Sequence, residues 1–157
     1  MRIVIHDYSG HPFQVQLSRW LAGKGHDVLH LYSGDIETPH GAVNRRIEDL
    51  VTFSIQAVTT GRRLDKYHLI RRYFQELRYS RILIKRIRSF NPDVTLSGNA
   101  SPIIQGRLRA AVHESGGVFI YWVQDIYSAA FDKLIPKQYS VIGFLAGYAL
   151  RRIEFGV

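Results

Sequence analysis

The sequence predicts an α/β domain built on a parallel, doubly wound sheet, and three observations predict it. Val118–Tyr127 reads VFIYWVQDIY: Gly116-Gly117 breaks what precedes it, six apolar or aromatic residues follow without interruption, and the run stops at Gln124-Asp125. A continuous apolar run between turn signals suits a strand buried on both faces. The first thirty or so residues read strand, helix, strand, a βαβ unit. Strand and helix patterns then keep alternating, as in a sheet with helices on both sides.

Arg2–Ile5 is the first strand, and Pro12 suits the first position of a helix because its fixed φ is helical and its missing N–H would be unpaired there. Phe13, Leu17, Trp20 and Leu21 recur at the spacing of one buried helical face. After Lys24-Gly25, residues His26–Tyr32 form the second strand. Gly34–Asn44 is a loop, Val51–Val58 a third strand, and Thr59–Asp65 another connection. Lys66–Phe90 is the longest periodic segment, with Ile70, Tyr73, Phe74, Leu77, Ile84 and Ile87 expected on the inward side. As a helix of about 25 residues it would extend roughly 37 Å. Asn91-Pro92 ends it, Asp93–Leu96 is the next strand, and Ser97–Ser101 is a polar loop. Pro102–Ser115 forms a helix with Ile104, Leu108, Ala111 and Val112 inward and Gly116 beyond its end. After the Val118 strand, 127–138 is irregular and Tyr139–Phe155 is helical and apolar.

A chain of 157 residues suffices for one domain with its own core, so 1–157 is read as a single unit. It has no cysteine, which excludes disulfides and thiolate metal sites. The amino terminus is too short and too polar in its apolar run for a signal peptide, and no stretch approaches the ~20 apolar residues of a membrane span. The expected location is therefore cytoplasmic. The net charge of +8 is concentrated: Arg62–Arg88 holds ten Lys or Arg against Asp65 and Glu76, while the remainder is balanced. Arg71, Arg78 and Lys85 fall at heptad spacing on one helical side, joined by Arg72 and Arg86, and such a field points to anionic lipid or nucleic acid. Tyr79 is the one aromatic residue placed to stack among the arginines, so nucleic acid ranks last.

In a parallel sheet the loops His6–His11, Ser97–Ser101 and Gln124–Tyr127 share the carboxyl edge, where open α/β sheets bind ligands. Gly10 allows close backbone approach, and the helix start after it offers N–H groups to an anion. The dinucleotide fingerprint, the P-loop, H-E-x-x-H and G-x-S-x-G are all missing. His6, His11 and Asp125 lack metal-ligand spacing on a single element, so no metal is expected. Asp125 reads equally well as a cleft carboxylate or as a cap of the following segment.

The run MRIVIHDYSGHPFQVQLSRWLAGKGHDV, then Pro92-Asp93-Val94, then VFIYWVQDIY, resembles the amino-terminal half of GT-B glycosyltransferases of the family 4 retaining type. The branch it most resembles builds bacterial polysaccharides, O-antigens and colanic acid on lipid carriers. Gly10-His11 stands at the family's glycine loop, Gly25-His26-Asp27-Val28 at its GHxV, and Trp122–Tyr127 at its aromatic strand ending in an acid. Where many members carry a second glycine this chain has His11, where they carry histidine it has Gln124, and Ser128 replaces the branch's proline.

The resemblance implies a Rossmann-like, acceptor-side domain, with the donor site and the E-x7-E motif on a second domain not contained in these residues. By itself the chain is then expected to be inactive. It implies sugar transfer from a nucleotide-sugar co-substrate to a lipid-linked saccharide in cell-surface polysaccharide synthesis, without further cofactor, at the inner face of the plasma membrane. Asp125 and His11 are the implied catalytic candidates, with Gly10, His6, Ser97, Asn99 and Gln124 for substrate and Arg71, Arg72, Arg78, Lys85 and Arg86 for the membrane. The alternative is a noncatalytic nucleotide-binding or regulatory α/β domain.

Overall fold

The computed structural model describes residues 1–36, 43–65, 68–98 and 100–123. Among these, five strands and three helices alternate: β1 (Arg2–Asp7), α1 (Pro12–Gly23), β2 (Asp27–Ser33), β3 (Phe53–Val58), α2 (Leu69–Phe90), β4 (Val94–Gly98), α3 (Pro102–Glu114) and β5 (Val118–Trp122). All strand pairs are parallel and the order is β3-β2-β1-β4-β5. This is a doubly wound, Rossmann-like sheet.

Side chains alternate across the sheet and sort into two cores. Val4, Leu29 and Leu31 face Tyr79, Leu83, Ile87, Ile104 and Leu108 of α2 and α3. Ile3, Ile5, Val28 and Phe53 face Val15 and Ala22 of α1. Each fully buried aliphatic side chain contributes about 1.5–3 kcal/mol of transfer free energy.

Four expectations are corrected. β1 extends to Asp7 and β4 to Gly98, so His6, Asp7 and Ser97 are strand residues rather than loop residues. The VFIYW part of the run, β5, is an edge strand among the described residues rather than a strand buried on both faces, and Val118 is 56% exposed. The central strand is β1, flanked by β2 and β4. Helix α1 is rotated from its apolar stripe: Gln14, Val15, Ser18 and Ala22 are buried, whereas Phe13 and Trp20 are exposed. The reason is a polar partner on the sheet, since Ser18 Oγ lies 2.8 Å from Nδ1 of the buried His30 on β2. Helix α2 likewise buries Glu76, Tyr79, Ser80, Leu83 and Ile87, leaving Ile70, Tyr73 and Phe74 outside. Its inward side matches the polar groups of β1 and α3 that Tyr79 and Glu76 reach. The predicted loop Gly34–Asn44 falls partly, and the 127–138 segment and the Tyr139–Phe155 helix wholly, outside the described residues.

Candidate functional site

The chain winds to one side through β1, β2 and β3, then returns to place β4 on the other side of β1. Between the carboxyl ends of β1 and β4 the connections diverge to opposite faces of the sheet, α1 to one and α3 to the other, which makes this the switch point whose crevice is where such sheets bind ligands. Asp7 pairs in register with Gly98 at its base, and Tyr8 N donates to Gly98 O at 3.5 Å.

The loop from β1 into α1 is shaped by Asp7. Its buried carboxylate accepts from the backbone N–H of Ser9 at 3.1 Å and from that of His11. Gly10 closes the turn at φ +75°, which a glycine adopts without the steric cost of a Cβ. The His11 ring is 40% exposed, with Nδ1 3.4 Å from Asp7 Oδ1. Helix α1 then starts at Pro12, and its N-cap residue His11 makes no side-chain capping bond. The positive end of a twelve-residue helix lies at this loop, beside the Asp7 carboxylate that accepts from His11 N–H.

Gln14 stands one step inside α1, fully buried, and neither of its amide atoms has a hydrogen-bond partner among the described residues. A Cβ built at Gly98 would lie 2.8 Å from Gln14 Nε2, so the absence of a side chain at Gly98 is what admits the amide to the crevice floor. Sequence reasoning missed Asp7, Gln14 and Gly98 as a group. The signal for Gln14 was a polar residue in the first turn after β1; the signal for Gly98 was a glycine closing a β-branched strand.

Below this surface lies a second polar layer. His6 and Ser97 are both fully buried, with His6 Nδ1 2.8 Å from Ser97 Oγ and Nε2 3.1 Å from Tyr79 Oη. Burial first, and then the nearby His30, lowers the His6 pKa to about 3, so the ring is neutral. The structure thus puts Gly10 and His11 at the crevice and His6 and Ser97 beneath it. Ser101 Oγ accepts from Ile104 N at 3.5 Å as the cap of α3 and donates to Glu76 Oε2 at 2.7 Å. Asn99, Gln124 and Asp125 lie outside the described residues. No group of three or more His, Asp or Glu able to hold a metal occurs among the described residues.

Of the seven cations of α2, the five expected to face the membrane divide. Arg71, Arg78 and Lys85 are exposed. Arg72 is drawn down, Nε donating to Glu76 Oε1 at 2.8 Å, and Arg86 Nη1 donates to Ala57 O at 2.9 Å. The outward expectation therefore holds for three of the five positions. Ile70 and Phe74, 76% and 63% exposed, stand on the same outer side as Arg71 and Arg78. Among the described residues no helix is long and apolar enough to cross a membrane.

No protein-family model matches the chain, and no curated protein matches it. Among solved structures, it is similar to the C-terminal domain (residues 78–226) of the PF1911 hydrogenase from Pyrococcus furiosus, with a TM-score of 0.55 and 13% identity over 78% of this chain and 90% of that one. The likeness shows the fold. A second similar structure is the glycotransferase of kitacinnamycin, with 16% identity, a TM-score of 0.48, and coverage of 96% of this chain and 38% of that one. At that TM-score the similarity carries no argument about activity.

Proposed function

We propose that this chain is the acceptor-side, Rossmann-like domain of a GT-B glycosyltransferase of the family 4 retaining type, acting in cell-surface polysaccharide synthesis. The observation that carries the reading is the β1–β4 crevice, where the Gly10-His11 loop, the opening of α1 and the unpaired Gln14 amide stand together at the position of the motif that the sequence shares with that family. In this reading the α1 terminus and Gln14 hold the phosphate or a hydroxyl of the acceptor, and His11 stands beside the transferring sugar. Asp125 orients a sugar hydroxyl. The nucleotide-sugar binds chiefly to a second domain, whose groups stabilise the departing diphosphate, and no metal is required.

The acceptor is a lipid-linked saccharide, reached by docking on the inner face of the plasma membrane through the outer side of α2. Ile70 and Phe74 enter the interfacial region while Arg71, Arg78 and Lys85 meet anionic headgroups, the division of labour of an interfacial amphipathic helix.

Amide chemical-shift mapping of the chain tests the reading. A short-chain prenyl-diphosphate saccharide is expected to shift Gly10–Gln14 and Ser97–Gly98, whereas UDP- and GDP-sugars bind only in the millimolar range and are not turned over. Low-micromolar nucleotide-sugar binding without acceptor binding would instead establish the noncatalytic nucleotide-binding domain. In a complete two-domain enzyme, Asp125→Asn and His11→Ala are expected to lower transfer by about 100-fold and tenfold, the range for positioned polar groups.

A further inference from the structure

A wide groove among the described residues lies away from the crevice. It lies between α2 and α3, toward the ends of both helices and so toward the amino edge of the sheet, with a volume of about 710 Å³. Arg81, Lys85, Arg88 and Arg107 line it, with Glu114 as its one acid. Glu114 is already engaged, accepting from Arg88 Nη2 at 2.7 Å, and this pair closes one end. Arg81 and Lys85 have no acidic partner among the described residues, so the groove keeps an excess of positive charge.

One of these cations is held in place from inside the protein. Arg107 Nε donates to Ser80 Oγ at 2.7 Å, and the fully buried Ser80 hydroxyl donates in turn to Leu77 O at 2.9 Å. That bond fixes the plane of the guanidinium while its terminal nitrogens have no partner among the described residues. A fixed guanidinium fork matches two oxygens of a phosphate, and a neighbouring Lys adds a compact charge. Solvated surface arginines lack such a buried anchor and a concave wall.

We propose that the α2–α3 groove is a binding site for a phosphomonoester or diphosphate group, separate from the β1–β4 crevice. Arg107 and Arg81 take the phosphoryl oxygens, Lys85 neutralises the remaining charge, and Ser80 positions Arg107. The groove has no exposed aromatic surface for base stacking, which argues against a nucleic-acid strand. The inference does not depend on the glycosyl-transfer reading, because none of its residues lines the crevice.

The experiment is titration of the full chain with inorganic pyrophosphate at fixed ionic strength, followed by backbone amide shifts. Saturable shifts are expected in Arg81–Ser89 and Arg107–Glu114, with Gly10–Gln14 unmoved. Arg107→Gln and Lys85→Gln, the latter at an exposed position, should each weaken binding about tenfold, the loss of one charge-assisted contact. Ser80→Ala should weaken it about threefold with no change of charge, whereas Arg71→Gln, which removes the same charge elsewhere on α2, should leave it unchanged. Flotation with phosphatidylcholine vesicles containing phosphatidic acid separates the sources. If the phosphate belongs to a lipid, pyrophosphate releases the chain and Arg107→Gln loses both ligands; if it belongs to a soluble metabolite, Arg107→Gln loses pyrophosphate alone, Lys85 being left out of this arm because it also stands on the outer side of α2. Either pattern supports the site. Equal weakening by Arg71→Gln and Arg107→Gln, or no saturable shift in the groove, would overturn it.

Discussion

His6 and Ser97 occupy the same register on the adjacent strands β1 and β4, and their side chains meet at 2.8 Å although 91 residues separate them. Tyr79 Oη, 3.1 Å from the other ring nitrogen, ties α2 into the same bond system. All three side chains are buried, so the switch point rests on a closed polar layer rather than on aliphatic packing.

That layer makes stability depend on pH. Burial lowers His6 to about 3; for His30, burial lowers the pKa to about 4, Asp7 opposing and Arg19 assisting. Both values lie below the unfolded value near 6.5, so in that interval the unfolded chain takes up protons that the folded chain refuses. Stability is full above about pH 6.5 and declines as pH falls toward 4, by about 2 kcal/mol per histidine at pH 5. Urea midpoints at pH 7 and pH 5 should differ accordingly. His30→Asn should remove about half of the difference; an unchanged difference would assign the acid sensitivity elsewhere.

Gly10 and Gly98 should respond differently to alanine. At Gly10 the φ of +75° is strained for any side chain, and Gly10→Ala should lower stability by about 1–2 kcal/mol. At Gly98 the added methyl meets the free end of the Gln14 side chain, which turns aside. Gly98→Ala should therefore cost under about 1 kcal/mol while shifting the Gln14 side-chain amide resonances. Equal losses at the two sites would contradict the described crevice floor.

Glu76 is the buried centre of an Arg72–Glu76–Ser101 arrangement that joins α2 to the start of α3. Glu76→Ala leaves the cap hydroxyl of Ser101 without its acceptor and should destabilise by about 2–3 kcal/mol. Arg72→Ala should cost at least as much, about 3 kcal/mol, because it leaves the Glu76 carboxylate, 3% exposed, buried without its cation. Thermal melts of the two variants give the order directly.

The outer side of α2 predicts binding to vesicles with anionic phospholipid and not to neutral ones. Reversal of Arg71, Arg78 and Lys85 to Glu should abolish flotation at low salt, each basic residue near the surface being worth about 1 kcal/mol. Phe74→Ser should weaken flotation with little change in its salt dependence, since the lost contact is apolar. A triple variant that floats like the parent would show that α2 is only a solvated face.

The sequence by itself determined the order of elements and the parallel α/β class. Strand and helix periods, Pro12, Pro92, Pro102 and Gly116 act within a few residues, so β1, α1, β2, α2, β4 and α3 emerge close to their observed bounds. Tertiary structure alone decided which strand is central and how each helix is turned. The VFIYWV run is as apolar as a central strand, yet β1 takes the centre because β2 and β4 both pair with it. Trp20 is the more apolar residue, yet Ser18 faces the sheet because His30 supplies a polar partner from β2, and Gln14, one turn earlier, is carried in with it. Local pattern records how apolar a face is, whereas rotation and strand order are fixed by partners far away in the chain. The crevice of Asp7, Gly10, Gln14 and Gly98 exists only once those partners have met.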